Sequence, residues 1–149
     1  MATMKIHQDF KEFLKLLNEN NVKYLLIGGY AVGYYGYPRP TGDMDIWIKI
    51  SEENAEKTVK VLNDFGFSSP ELTKELLMKE MQIIRMGIAP FRLEVSTHID
   101  GVDFDECFAD KEVVDLDGVL TNLISLEHLK INKKASGRYK DLNDLENLP

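Results

Sequence analysis

Apolar residues recur at helical spacing near the start of the chain: Phe10, Phe13, Leu14 and Leu17, with Lys11, Glu12 and Lys15 between them. The pattern predicts an amphipathic helix over 7–20, stopped at Asn20-Asn21. The period then changes. Residues 22–27 form an apolar run interrupted by Lys23, short enough for a buried strand, and Gly28-Gly29 end it. A short helix over 30–35 follows. From 43 to 50 the residues alternate, with Asp43 and Asp45 set against Met44, Ile46 and Ile48, the period-two pattern of a half-buried strand.

Ser51 predicts a helix cap, with Glu52 and Glu53 in the first turn, where the helix dipole favours acids. Ala55, Val59 and Leu62 mark the buried face, and Gly66 the end. Ser69-Pro70-Glu71 predicts another helix, running through Leu72 and Leu76 to Lys79. Strands over 81–86 and 91–97 are expected to form a hairpin across Gly87-Ile88-Ala89-Pro90. In the second of these, Phe91, Leu93 and Val95 share one face and Arg92, Glu94 and Ser96 the other. A short helix is expected over 104–109. Segments 111–116 and 119–124 flank Asp117-Gly118, a strong signal for a two-residue hairpin. Ser125 caps a helix through Ala135, ended by Ser136-Gly137. A last helix covers 141–148, with Leu142, Leu145 and Leu148 expected to face inward. Helices interleaved with strands in this way predict an α/β (α+β) fold, a mixed sheet flanked by helices in a single domain, 1–149.

Composition narrows the class. With 44% hydrophobic and 29% charged residues, the chain has the balance of a soluble globular protein. No apolar run approaches the ~20 residues of a membrane span, so no membrane partner is expected. The N-terminus has no signal-peptide core. One cysteine, Cys107, allows no internal disulfide, so a reducing cytoplasm is the expected location. A net charge of −7 argues against a broad nucleic-acid surface. Residues 125–140 nevertheless hold five bases (Lys130, Lys133, Lys134, Arg138, Lys140) against one acid, Glu127, which suits a local anionic ligand. His7, His98 and His128 lack metal-ligand spacing.

The chemistry concentrates around residues 27–50. A strand ending in Gly-Gly at the start of a helix offers bare backbone N–H groups to phosphate. Asp43 and Asp45 project to the same side of their strand and repel each other, a cost that a divalent cation removes. Hard oxygen ligands beside phosphate suit Mg2+. Either feature alone also describes a tight turn or an ordinary half-exposed strand. Their order and spacing are more specific. Glu94, between Leu93 and Val95 on a later strand, supplies a third carboxylate.

Ile27-Gly28-Gly29, Asp43-Met44-Asp45-Ile46 and Leu93-Glu94-Val95 together resemble the motif set of the nucleotidyltransferase fold, the DNA polymerase β-like superfamily. A narrower resemblance is to AbiEii-type and related minimal bacterial nucleotidyltransferases. It is carried by Arg39-Pro40-Thr41 before the acids and by Ser125, Leu129, Lys130, Arg138, Asp141 and Asp144 near the end, with the lysine one residue after the leucine rather than four. The resemblance implies transfer of a nucleoside monophosphate from a nucleoside triphosphate to an acceptor hydroxyl, on RNA, tRNA or protein, with release of pyrophosphate. It also implies a toxin–antitoxin component with an antitoxin partner. In that reading Asp43, Asp45 and Glu94 are the catalytic and metal residues of a two-metal Mg2+ site, and Glu94 can also serve as general base. Gly28, Gly29, Tyr30, Arg39, Thr41, Lys130, Lys134 and Arg138 bind the nucleotide, with Lys133 in support. Helices over 125–148 close the cleft. Two alternatives stay open: an inactive nucleotide-binding module of the same fold, and a small-molecule, antibiotic-modifying nucleotidyltransferase.

Overall fold

The computed structural model describes residues 5–38, 42–88 and 91–149. In chain order the elements are α1 (Gln8–Glu19), β1 (Tyr24–Ile27), α2 (Gly28–Tyr34), β2 (Asp43–Ile48), α3 (Glu52–Phe65), α4 (Lys74–Leu77), β3 (Ile83–Met86), β4 (Arg92–Ser96), α5 (Phe104–Ala109), β5 (Glu112–Leu116), β6 (Val119–Leu123), α6 (Leu126–Ser136) and α7 (Tyr139–Asn147). The six strands form one mixed sheet in the order β3-β4-β2-β1-β6-β5. β1 runs antiparallel to β2 and parallel to β6, and β2 runs parallel to β4. Two hairpins, β3–β4 and β5–β6, form the edges. The second turns through Asp117 and Gly118, both at positive φ, as a two-residue hairpin turn demands.

The period-two pattern decides the faces. Met44, Ile46 and Ile48 are fully buried in a core shared with Phe10, Phe13, Leu14 and Leu17 of α1 and Val61 and Leu62 of α3. Phe13 meets Phe65 edge to face at 5.3 Å. On the opposite face of β2, Trp47 packs edge to face on Phe104 of α5 at 5.0 Å. That contact closes the sheet just beyond Asp45 and leaves Asp43 and Asp45 half-buried. Ser51 caps α3 by accepting from the Asn54 amide, and Gly66 ends it in the left-handed region.

Two segments differ from the pattern's expectation. The helix expected from Ser69 to Lys79 is a single turn, Lys74–Leu77. The Ser69 hydroxyl and carbonyl instead accept from the Glu71 and Leu72 amides and close a local turn. Thr73 then becomes the cap, a case of short polar side chains competing with helix. In α7, Leu142 is exposed while Asp141 and Asp144 are buried. Of the leucines expected to face inward, Leu148 is buried and Leu145 half-buried, but the seam with α6 is ionic.

Asn54 joins three segments. It is 4% exposed; its carboxamide oxygen accepts from the Lys23 amide at 2.7 Å, and its nitrogen donates to the Lys23 carbonyl at 3.0 Å and the Lys49 carbonyl at 2.9 Å. Replacing Asn54 by alanine strands the Lys23 amide and the Lys49 carbonyl at the ends of β1 and β2, while the Lys23 carbonyl keeps its bond from the Lys49 amide. Urea unfolding of N54A is expected to show a loss of about 2–4 kcal/mol. A loss under about 0.5 kcal/mol, the range of an ordinary surface change, would contradict this role.

Candidate active site

The parallel register of β2 and β4 sets Asp45 beside Glu94 and Asp43 beside Arg92. Asp45 and Glu94 line a cleft of about 380 Å³. Gly28 and Gly29 line the same cleft, as do Asn132, Lys133 and Ser136 of α6 and Arg138, Lys140 and Asp141 at the start of α7. Two of the three candidate acids, the glycine turn and the C-terminal helices therefore meet in one place.

Gly28 explains how closely they meet. It begins α2 at φ +69°, and a Cβ there would fall 2.0 Å from Asp45 Oδ2. The carboxylate rests on bare backbone, in space that a side chain at 28 would fill. Burial first, and then the neighbouring charges of Glu94 and Asp43, together push the Asp45 carboxyl up to about 7 against the pull of Lys140 and Lys133. Anions crowded in a cleft with a shifted carboxyl are the electrostatic mark of a functional site.

Arginines hold the other two acids. Arg92 Nε donates to Asp43 Oδ1 at 3.1 Å. Arg85 lies opposite Glu94 in the β3–β4 register, and its Nε donates to Glu94 Oε2 at 3.0 Å. Among the described residues no three acid, histidine or cysteine side chains are gathered closely enough to hold a metal ion. The expected triad is thus spread along one sheet face, and Asp43 does not line the cleft itself. The donor chemistry still fits a hard divalent cation: three carboxylates share that face, and their mutual repulsion contributes to the raised Asp45 value.

The bases fall differently from expectation. Lys130 is not part of the cleft lining, and its ammonium donates to the Pro149 carbonyl. Lys134 is exposed and also outside the lining. Lys133 is the cleft lysine of α6. It is buried, with Nζ 3.2 Å from Asp141 Oδ1 and 3.1 Å from Asp144 Oδ2. Arg138 Nε donates to Asp141 Oδ2 at 2.7 Å. Burial alone would raise the Asp141 carboxyl, but the hydrogen bonds from Arg138 and Lys133 outweigh it and hold the group below the usual range. The spacing Ser125-x-x-x-Leu129-x-x-x-Lys133 pointed to this lysine, because intervals of four keep residues on one helix face. Lys130, next to the buried Leu129, is rotated from it by ~100°.

Tyr30 is half-buried, 5.9 Å edge to face from Phe10, and outside the cleft lining. Arg39 and Thr41 lie outside the described residues. Arg85 and Lys140 line the cleft although the sequence pattern did not single them out as ligands, and Arg92 joins them as the partner of Asp43.

No protein-family model matches the sequence, and no curated protein is significantly similar to it. Solved structures do match. A candidate nucleotidyltransferase from Thermotoga maritima is 17% identical, with a TM-score of 0.60, over 96% of this chain and 94% of that one. The lincomycin-bound lincosamide antibiotic adenylyltransferase LnuA is 14% identical, with a TM-score of 0.56, over 98% of this chain and 97% of that one. An antigenic nucleotidyltransferase-like protein from Paracoccidioides brasiliensis is 17% identical, with a TM-score of 0.55, over 98% of this chain and 77% of that one. The chain has the nucleotidyltransferase fold. Among the described residues no helix is long and apolar enough to cross a membrane.

The raised Asp45 carboxyl makes stability fall with pH. Its ordinary value is 3.8 and its folded value about 7. Between these the folded chain binds the proton that the unfolded chain has lost, so stability decreases as pH rises through the window and stays low above it. In EDTA, Asp45→Asn is expected to be more stable than wild type by about 1–2 kcal/mol at pH 8, allowing for partial solvent screening, with the gap closing towards pH 4. Urea melts at intervals across that range measure it. A gap independent of pH would contradict the crowding of charge at Asp45.

Proposed function

We propose that the chain is a Mg2+-dependent nucleotidyltransferase, moving a nucleoside monophosphate from a triphosphate to an acceptor hydroxyl. The observation that carries this reading is the single cleft in which Asp45 and Glu94 adjoin the Gly28-Gly29 backbone and a cationic wall, on a nucleotidyltransferase fold. Asp45 and Glu94 would hold Mg2+, with Asp43 beside them on the same sheet face; when bound the ion neutralises phosphate charge and favours ionisation of the acceptor hydroxyl. Gly28 and Gly29 amides bind phosphate oxygens, and Lys140 adds positive charge from α7. Glu94 accepts the hydroxyl proton. The acceptor oxygen then bonds to the α-phosphorus, the bond to the bridging oxygen of the β-phosphate breaks, and pyrophosphate leaves with that electron pair.

The narrower likeness to AbiEii-type proteins draws support from the convergence of its C-terminal residues: Ser125 caps α6, Leu129 is buried beneath it, and Lys133, Arg138, Asp141 and Asp144 form one charged cluster. On that likeness rest the proposals of an RNA or protein acceptor and an antitoxin partner; the proposal of a cytoplasmic setting rests on the single cysteine, Cys107. One observation favours a second reading, a small-molecule acceptor. Of the five C-terminal bases, Lys133 and Arg138 spend their charge on Asp141 and Asp144, leaving less for a polyanionic acceptor.

The test is incubation with each radiolabelled triphosphate, Mg2+ and, in separate reactions, total RNA, cell protein or a panel of hydroxylated antibiotics. One acceptor class is expected to take label, and Asp45→Asn is expected to reduce it at least about a hundredfold, as for loss of a metal ligand. Labelling that persists in EDTA or in D45N would overturn the mechanism.

A further inference from the structure

We propose that Arg85 is a phosphate ligand for the bound triphosphate, stored on Glu94 until a divalent cation takes that carboxylate. The inference rests on the nucleotidyltransferase reading and adds to it a residue and a coupling between metal and nucleotide.

Among the described residues, four lysine and arginine side chains line the cleft, and their partners separate them. Lys133 is 5% exposed and bound to Asp141 and Asp144, each 1% exposed. Arg138 shares Asp141. Moving either onto a ligand would withdraw a counter-charge from a buried carboxylate, an expensive exchange. Lys140 already acts on the acids, since its charge lowers the Asp45 carboxyl. Arg85 differs from Lys133 and Arg138. The difference from Arg138, itself 74% exposed, lies in the partner: the Glu94 side chain is 20% exposed and that of Asp141 2%, and Arg85, 64% exposed, lines the cleft with Glu94, Gly28 and Gly29. A cation arriving at Glu94 replaces the counter-charge that Arg85 provides. Its release is therefore compensated, whereas release of Lys133 or Arg138 is not. The related pair Arg92 and Asp43 lies outside the cleft lining, so the same exchange there would not deliver a guanidinium to the ligand.

A freed guanidinium suits phosphate in particular, because its planar fork donates two parallel hydrogen bonds to two oxygens. The consequence is thermodynamic. Arg85 competes with the cation when no nucleotide is present and cooperates with it once nucleotide is bound. By linkage, metal and triphosphate then tighten each other by the same factor.

Removing Arg85 should therefore move two affinities in opposite directions. With Mn2+ alone, followed by electron paramagnetic resonance, Arg85→Ala is expected to bind about two- to fivefold more tightly than wild type, the scale of one exposed ion pair. With a non-hydrolysable triphosphate and saturating Mg2+, calorimetry of the same variant is expected to show about tenfold weaker binding, the scale of a charge-assisted contact. Arg85→Lys, which keeps the charge but not the fork, should fall between them. Circular dichroism melts check that this exposed edge-strand change leaves the fold intact. Unchanged triphosphate affinity in folded R85A overturns the role of Arg85 and leaves the site reading standing. Weaker Mn2+ binding in R85A overturns the competition. A wild-type protein that binds no triphosphate overturns both readings.

Discussion

Asp45 sits where three strands meet, opposite Ile27 of β1, beside Glu94 of β4, with one oxygen in the space that a Cβ of residue 28 would occupy. Several other features follow from holding a carboxylate there. Residue 28 must be glycine, both for its positive φ and for the contact. Residues 44, 46 and 48 must be apolar, because alternation sends them into the opposite layer. Glu94 and Asp43 need counter-charges, which Arg85 and Arg92 provide from β3 and β4. The acid cluster is tolerable because its edges are neutralised and its centre, Asp45, is partly protonated near neutral pH.

The second constraint is the ionic seam between α6 and α7. A lysine buried between two aspartates is costly to assemble and more costly to break: removing one partner of such a cluster typically loses about 3–5 kcal/mol. An apolar seam of similar volume could be equally stable, but it would not orient a cleft wall so narrowly. Here the cluster fixes Lys133, Arg138 and Asp141 along the rim that faces Asp45 and Glu94. The Asp100 segment is tied to the same wall, its carbonyl accepting from Asn132 at 3.0 Å. The C-terminal helices are thus held against the sheet by polar contacts that coincide with the site.

Much of this was legible in the sequence because it depends on local periodicity. Alternation from Asp43 to Ile48 located the acids and the core face, Asp117-Gly118 located a hairpin, and Ser51, Ser125 and Gly66 marked helix ends. Strand register was less accessible, even within an expected hairpin. Arg85 meets Glu94 only because β3 and β4 pair with Met86 opposite Leu93, a register that one strand cannot reveal. The inner face of α7 was misjudged in part, because leucines at 142, 145 and 148 look like a core stripe: Leu148 is buried as expected, but Leu142 is exposed and Asp141 and Asp144 take the inner positions. The presence of a buried lysine on the facing helix reverses that reading, and nothing within α7 itself signals it. Lys133 shows the opposite case, since its spacing from Ser125 and Leu129 was already in the sequence. Ser69 lost its expected helix to a local turn made by its own hydroxyl and carbonyl, where two short-range signals competed and the closer one prevailed.

The central claim is that Asp45, Glu94 and the Gly28-Gly29 backbone form one site for a divalent cation and a triphosphate. Diffraction from crystals grown with Mn2+ and a non-hydrolysable nucleoside triphosphate tests it most directly, because Mn2+ is located by its anomalous signal. The account predicts an anomalous peak within coordinating distance of Asp45 and Glu94, with phosphate oxygens against the amides of Gly28 and Gly29. A peak elsewhere, or a triphosphate bound away from Gly28-Gly29, would contradict it.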